Sequence, residues 1–153
     1  MTLPVPTLTP AFDVEVALGP LEDHLGTSAG HRRVVPILGG RVSGEVDAEV
    51  LPGGADWQLV RPDGTIEIDS RYSARTASGD LLLLHARGLR TGSPEVLARL
   101  GRGEDVDPAL YSFRTTVTVE TSAPALAHLQ QSLFLASAQR LASAVHYRAY
   151  RVG

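Results

Sequence analysis

Arg41-Val-Ser-Gly-Glu-Val-Asp-Ala-Glu-Val-Leu51 is the stretch that decides the fold class. Val42, Val46, Ala48 and Val50 fall on one parity; Arg41, Ser43, Glu45, Asp47 and Glu49 fall on the other. A period of two belongs to a β-strand with one face on a core and one in water. Pro52-Gly53-Gly54 then turns the chain, and residues 55–61 return as a strand. Pro62-Asp63-Gly64 is a hairpin turn with a mechanism, since proline presets φ and glycine accepts a positive one. Residues 65–76 alternate again, with Ile66 and Ile68 against Thr65, Glu67, Asp69 and Arg71.

The same pattern extends outward. Phe12, Val14, Val16 and Leu18 alternate with Asp13, Glu15 and Ala17. Residues 19–30 read as a Gly-rich loop, and 31–38 as a strand in which Pro36 suggests an edge or a bulge. Gly39-Gly40 reads as a turn. Residues 81–88 form a strand, 93–101 a short helix capped by Ser93 with Pro94 at its first position, and 109–121 a long strand. Propensity alone would make 124–150 helical. The alternation of Val145, Tyr147 and Ala149 with His146, Arg148 and Tyr150 argues for strand, so the reading is a short helix at 124–130 and then two strands. Many short strands joined by Pro/Gly turns predict a mainly all-β chain: a single antiparallel β-barrel, calycin/lipocalin-like, with one or two short helices. Residues 1–9 form an extended lead-in and 10–153 the barrel domain.

Composition narrows the function. The 153 residues suit one domain, with a core burying roughly two-thirds of the unfolded surface. Seventeen acids against 14 bases leave a charge of −3, which speaks against a nucleic-acid or anionic-membrane partner. No apolar run approaches the ~20 residues of a membrane span and no export signal is visible, so a cytoplasmic protein is expected. Cysteine is absent, which removes disulfides and thiolate chemistry. Lysine is absent too, which removes Schiff bases and Gly-Lys-Ser/Thr phosphate loops. Arginine keeps its proton, so any base must be His, Asp, Glu or Tyr. No cofactor is expected. Gly26-Thr-Ser-Ala-Gly30 matches G-x-S-x-G, but without the strand–serine–helix context that motif needs.

Four stretches together resemble a known family: Pro36-Ile-Leu-Gly-Gly40, Leu51-Pro-Gly-Gly-Ala-Asp-Trp-Gln58, Asp69-Ser-Arg-Tyr72, and Tyr111-Ser-Phe-Arg-Thr115 followed by Glu120-Thr121. They resemble the bacterial domain-of-unknown-function family 3237, from about residue 10 to the end. Ser70 stands where the family often has alanine, and Tyr111-Ser112 where it often has an aromatic pair. The resemblance implies an antiparallel barrel and a homo-oligomer, and it implies no agreed reaction.

The candidate site residues follow from parity. Asp56 and Gln58 share one face of their strand, with Trp57 on the other; polar groups inside a barrel would orient a ligand. Arg114 lies in the polar row Ser112, Arg114, Thr116, Thr118, Glu120, opposite Tyr111, Phe113, Val117 and Val119. That row faces either solvent or a wet lumen. In the lumen, the Arg114 guanidinium would hold an anion or oxyanion while Asp56 or Glu120 moves a proton. Tyr72 could donate its phenol to a carbonyl. Trp57, Tyr111 and His85 complete the candidate ligand contacts, His85 because it follows the apolar Leu81–Leu84 run and titrates near neutrality. No histidine spacing suggests a metal. The expected function is binding of a small organic acid or carbonyl compound in the cavity, with isomerase, cyclase or lyase/hydratase chemistry as the enzymatic form. The alternative is a non-catalytic ligand-binding or structural oligomeric barrel with an internal salt-bridge network.

Overall fold

Ten strands form, every pair antiparallel, in a computed structural model that describes all 153 residues. They are β1 (Leu8–Leu18), β2 (Glu22–Thr27), β3 (Gly30–Gly44), β4 (Ala48–Val50), β5 (Ala55–Val60), β6 (Ile66–Thr76), β7 (Leu81–Gly92), β8 (Tyr111–Thr121), β9 (Leu133–Arg140) and β10 (Ala144–Val152). One α-helix, α1 (Pro94–Gly101), and the 3₁₀ segments Pro108–Leu110 and Pro124–Gln131 complete the chain. The circuit β1-β10-β9-β8-β7-β6-β5-β3 closes through pairing of β3 with β1, an eight-stranded barrel. Closure removes the open edges that a flat sheet would expose. β2 and β4 are additional. β2 extends the first half of β3, and β4 occupies the same slot as β5 further along, between β3 and β6.

The turns form as their residues dictate. At Pro62-Asp63-Gly64 the Asp63 carboxylate accepts the Thr65 N–H at 2.9 Å and Gly64 takes φ +88°. Ser93 caps α1 by accepting the Val96 N–H at 3.2 Å. Four readings change. Residues 41–51, expected as one strand, are a hairpin: β3 ends at Gly44 and the chain turns back through residues 45–47 into β4, with Arg41 paired to Glu49 and Val42 to Ala48. Residues 22–27, expected within a loop, pair with β3 as a hairpin; they are exposed throughout and carry no apolar alternation to announce a strand. Gly39-Gly40 is not a turn but the middle of one 15-residue strand. Gly40 lies against β1 at φ +143°, and a Cβ there would sit 1.9 Å from the Glu15 carbonyl oxygen. β7 also runs four residues past the expected Gly88, to Gly92.

The interior has two halves. At one end Phe12, Val14, Val42, Leu82, Val117 and Phe134 are buried and packed solid, with Phe12 edge-on to Phe134 at 5.2 Å between centroids. This is the floor. At the other end the strands surround a cavity of about 400 Å³, bordered at its mouth by Leu18–Leu21 after β1 and by Leu100–Gly103 at the end of α1. The protein is a cup.

Candidate functional site

The Pro52-Gly53-Gly54 turn sets β5. Gly54 is pressed onto β6: a Cβ would lie 2.3 Å from the Arg71 carbonyl oxygen and 2.7 Å from the Tyr72 Cβ. Alternation then sends Asp56 and Gln58 inward, 7% and 4% exposed, and Trp57 outward, 39% exposed. Across the sheet Asp56 faces Val35 and Ser70, and Gln58 faces Arg33.

Inside the cup these residues form a chain of hydrogen bonds. Arg33 donates from Nε and Nη2 to the Gln58 Oε1 at 3.2 and 2.9 Å. Gln58 donates in turn from Nε2 to the Asp56 Oδ2 at 2.8 Å, and the Asp69 N–H donates to Oδ1 at 3.0 Å. Burial raises the Asp56 pKa, opposed by the bonds from Gln58, the Asp69 N–H and Ser70 and by the charge of Arg90. The link between acid and arginine therefore runs through Gln58.

Two further arginines enter the cavity. Arg90 comes from β7 and is 4% exposed, its guanidinium carbon 5.5 Å from the centre of the Phe113 ring. Its Nε has no hydrogen-bond partner, nor has the buried Thr115 Oγ1. Burial, and then the charges of Arg140 and Arg33, push the Arg90 pKa down to about 10, so the group is still charged at neutral pH. Arg140, at the end of β9, donates to the carbonyls of Leu141 and Ala144, and its pKa is lowered by burial and by Arg33. None of the three forms an ion pair; every pair in the chain lies elsewhere, as between Arg148 and Asp13 or Arg151 and Glu45. The inner arginines thus outnumber the inner acid three to one, and the cavity wall carries a net positive charge.

Deeper, Tyr72 and Tyr147 meet across the barrel, with 2.5 Å between their hydroxyl oxygens. Both line the cavity. Burial raises both phenols' pKa values, so both keep their protons at neutral pH.

The other expected site residues are distributed by parity. Arg114 and Glu120 project from β8 to the outside, because Tyr111, Phe113, Thr115, Val117 and Val119 take the inward positions. The Arg114 guanidinium donates to the carbonyl of its neighbour Phe113 and cannot hold a lumenal anion. The polar row of β8 is thus a solvated face. His85 is also on the outer wall, 2.7 Å from the Asp69 carboxylate. Tyr111 is buried, and its hydroxyl accepts the Arg140 backbone N–H at 2.9 Å, which makes it a strut beside the cavity. Gly26–Gly30 is the tip of the β2–β3 hairpin, with none of the geometry of a nucleophile elbow. No three His, Asp or Glu side chains converge on one point. No helix is long and apolar enough to cross a membrane.

Arg33, Arg90, Arg140, Thr115 and Tyr147 were not singled out by sequence reasoning. The usable signal was phase. Arg33 is in register with Val35 and Ile37, Arg90 with Leu82, Leu84 and Ala86, and Arg140 with Phe134, Ala136 and Ala138. An arginine on the apolar parity of a strand points inward, whereas Arg114 sits on the polar parity.

Comparison with known proteins supports this architecture. The family model described as "Protein of unknown function (DUF3237)" matches residues 6–152. A UPF0311 protein of Bradyrhizobium diazoefficiens is 40% identical over 134 residues, covering 88% of each chain. The crystal structure of a conserved protein of unknown function from Rhodopseudomonas palustris superposes with a TM-score of 0.92 at 36% identity, over 99% of this chain and 100% of that one. That of a β-barrel-like protein from Acinetobacter baumannii gives 0.85 at 41% identity, over 99% of both.

Proposed function

The chain belongs to the DUF3237/UPF0311 family of small bacterial barrels, and from that premise we propose that its cavity is a binding site for a small organic anion with an apolar body. The observation that carries the reading is Arg90: a guanidinium buried in the cavity wall, with no ion-pair partner and an unbonded Nε, beside two more arginines. Burying an unpaired charge costs several kcal/mol, and a bound carboxylate would offset much of that by charge-assisted hydrogen bonds. The volume falls within the range of small-molecule pockets, and apolar side chains such as Ile37, Ile68 and Phe113 supply the wall for the ligand's body. A lipocalin-like use of the barrel, closed floor and open mouth, fits this division.

Binding is favoured over catalysis by the state of the proton-transfer groups. Both Asp56 oxygens are already engaged, and Glu120 and His85 are outside. The arginines hold charge but do not move protons at neutral pH.

Calorimetric titration with phenylbutyrate and with its uncharged amide tests the reading. The carboxylate should bind and the amide should bind at least tenfold more weakly, the worth of about one charge-assisted hydrogen bond. Arg90→Met should remove that preference while leaving the fold intact. Equal binding of acid and amide by the unaltered protein would overturn the proposal.

A further inference from the structure

The tyrosine pair at the base of the cavity leaves one proton over. Each phenol carries one O–H, and both are protonated at neutral pH. One of them donates to the other's oxygen across the 2.5 Å gap. The second O–H has no acceptor: neither hydroxyl makes another hydrogen bond within the chain. Both residues are buried, at 3% and 5% exposure, and both line the cavity. A buried donor without an acceptor is costly, and donation through a chain of two hydroxyls polarises the terminal proton. Tyr147 stands two residues, in register, from the position facing Arg140: Tyr147 pairs with Ala138 and Val145 with Arg140. The tyrosines and the arginines thus occupy successive tiers of one cavity.

We propose that Tyr72 and Tyr147 together form an acceptor-oxygen subsite, so that the ligand is an oxo acid: a carboxylate held by the arginine tier and a carbonyl oxygen held by the free phenolic hydrogen. This rests on the anion-binding reading and specifies its ligand. The two tiers impose orientation, carboxylate toward the mouth and carbonyl toward the floor. Either phenol can be the terminal donor, since a rotation of both hydroxyls exchanges their roles. The subsite binds the carbonyl without breaking a bond, and no proton leaves the pair.

Benzoylpropionate and phenylbutyrate have the same skeleton, with and without the ketone, and serve as the probes. The unaltered protein should bind benzoylpropionate about tenfold more tightly, the worth of one hydrogen bond to a buried donor. Its ketone stretching band should move to lower frequency on binding. The double variant Tyr72→Phe with Tyr147→Phe should bind both acids equally, at the affinity of phenylbutyrate, and each single variant should keep part of the preference. If phenylbutyrate binds but the ketone brings no gain and no band shift in the unaltered protein, the subsite is refuted while the anion site stands. If neither acid binds, the anion site itself is refuted and this proposal with it. The measurements on the unaltered protein decide the matter even if the double variant does not fold.

Discussion

The floor and the mouth of the cup are built from the same strands and differ only in what occupies the inward parity. Toward the floor those positions are Phe12, Val14, Val42, Leu84, Val119 and Phe134, and they fill the space. Toward the mouth the same parity brings in Arg33, Asp56, Gln58, Arg90 and Arg140, and they leave a cavity. Close packing stabilises the first half. The second buries charge and polar atoms, joined in part by the Arg33–Gln58–Asp56 hydrogen bonds, with Arg90 Nε and Thr115 Oγ1 left unbonded. The difference teaches that close packing and buried polar groups are separated along the barrel axis rather than shared around it.

Substitutions should break along that line. Phe134→Ala removes a fully buried ring packed edge-on to Phe12 and should cost about 3–5 kcal/mol in urea unfolding. A loss below about 1 kcal/mol would show that the floor is not the stabilising half. Asp56→Asn, in the mouth, should change stability with a pH dependence of known sign. Burial raises the Asp56 pKa, so the folded chain holds a proton that the unfolded chain releases above the ordinary value of 3.8. Stability of the unaltered protein therefore falls as pH rises from that value through the folded pKa, and then levels off. Asn carries no such dependence. Relative to the unaltered protein the variant should therefore gain stability as pH rises from about 3 toward neutral, read from the difference between thermal melts. Anions should also bind the variant more tightly, since one negative charge has left the cavity. An advantage that shrinks with rising pH would contradict the assignment. Arg114→Ala sharpens the contrast from the outside. It should change stability by less than about 0.5 kcal/mol and leave phenylbutyrate affinity unchanged, because an exposed strand position touches neither half.

Most of the barrel was legible in the chain because period two is a local signal. It located β1, the second half of β3, β6 and β8, and the phase of Asp56 against Trp57. β2 was not legible, since none of Glu22–Thr27 is buried and its pairing with β3 comes from backbone hydrogen bonds. The passage through Gly39-Gly40 was misread for a related reason. Paired glycines mark both turns and close strand crossings, and only the position of β1 decides between them. The site was half legible. Alternation groups Asp56 with Gln58 and sets Tyr72 opposite Arg71, without telling which face of each strand is the inner one. The polar row around Arg114 is conspicuous in sequence and faces outward, whereas Arg33, Arg90 and Arg140 sit singly among apolar neighbours. Their convergence depends on closing the barrel, and no single strand contains it.

Trp57, the one tryptophan, faces outward from β5 while its neighbours on either side face the cavity. Its emission therefore reports on the outer wall. A fluorescence screen would follow unfolding and association of barrels through this indole, yet occupancy of the lumen would leave the signal nearly silent, and ligands would be passed over in a library that contained them. Moving the fluorophore inward, with Phe113→Trp beside Arg90, would turn the protein into its own ligand sensor.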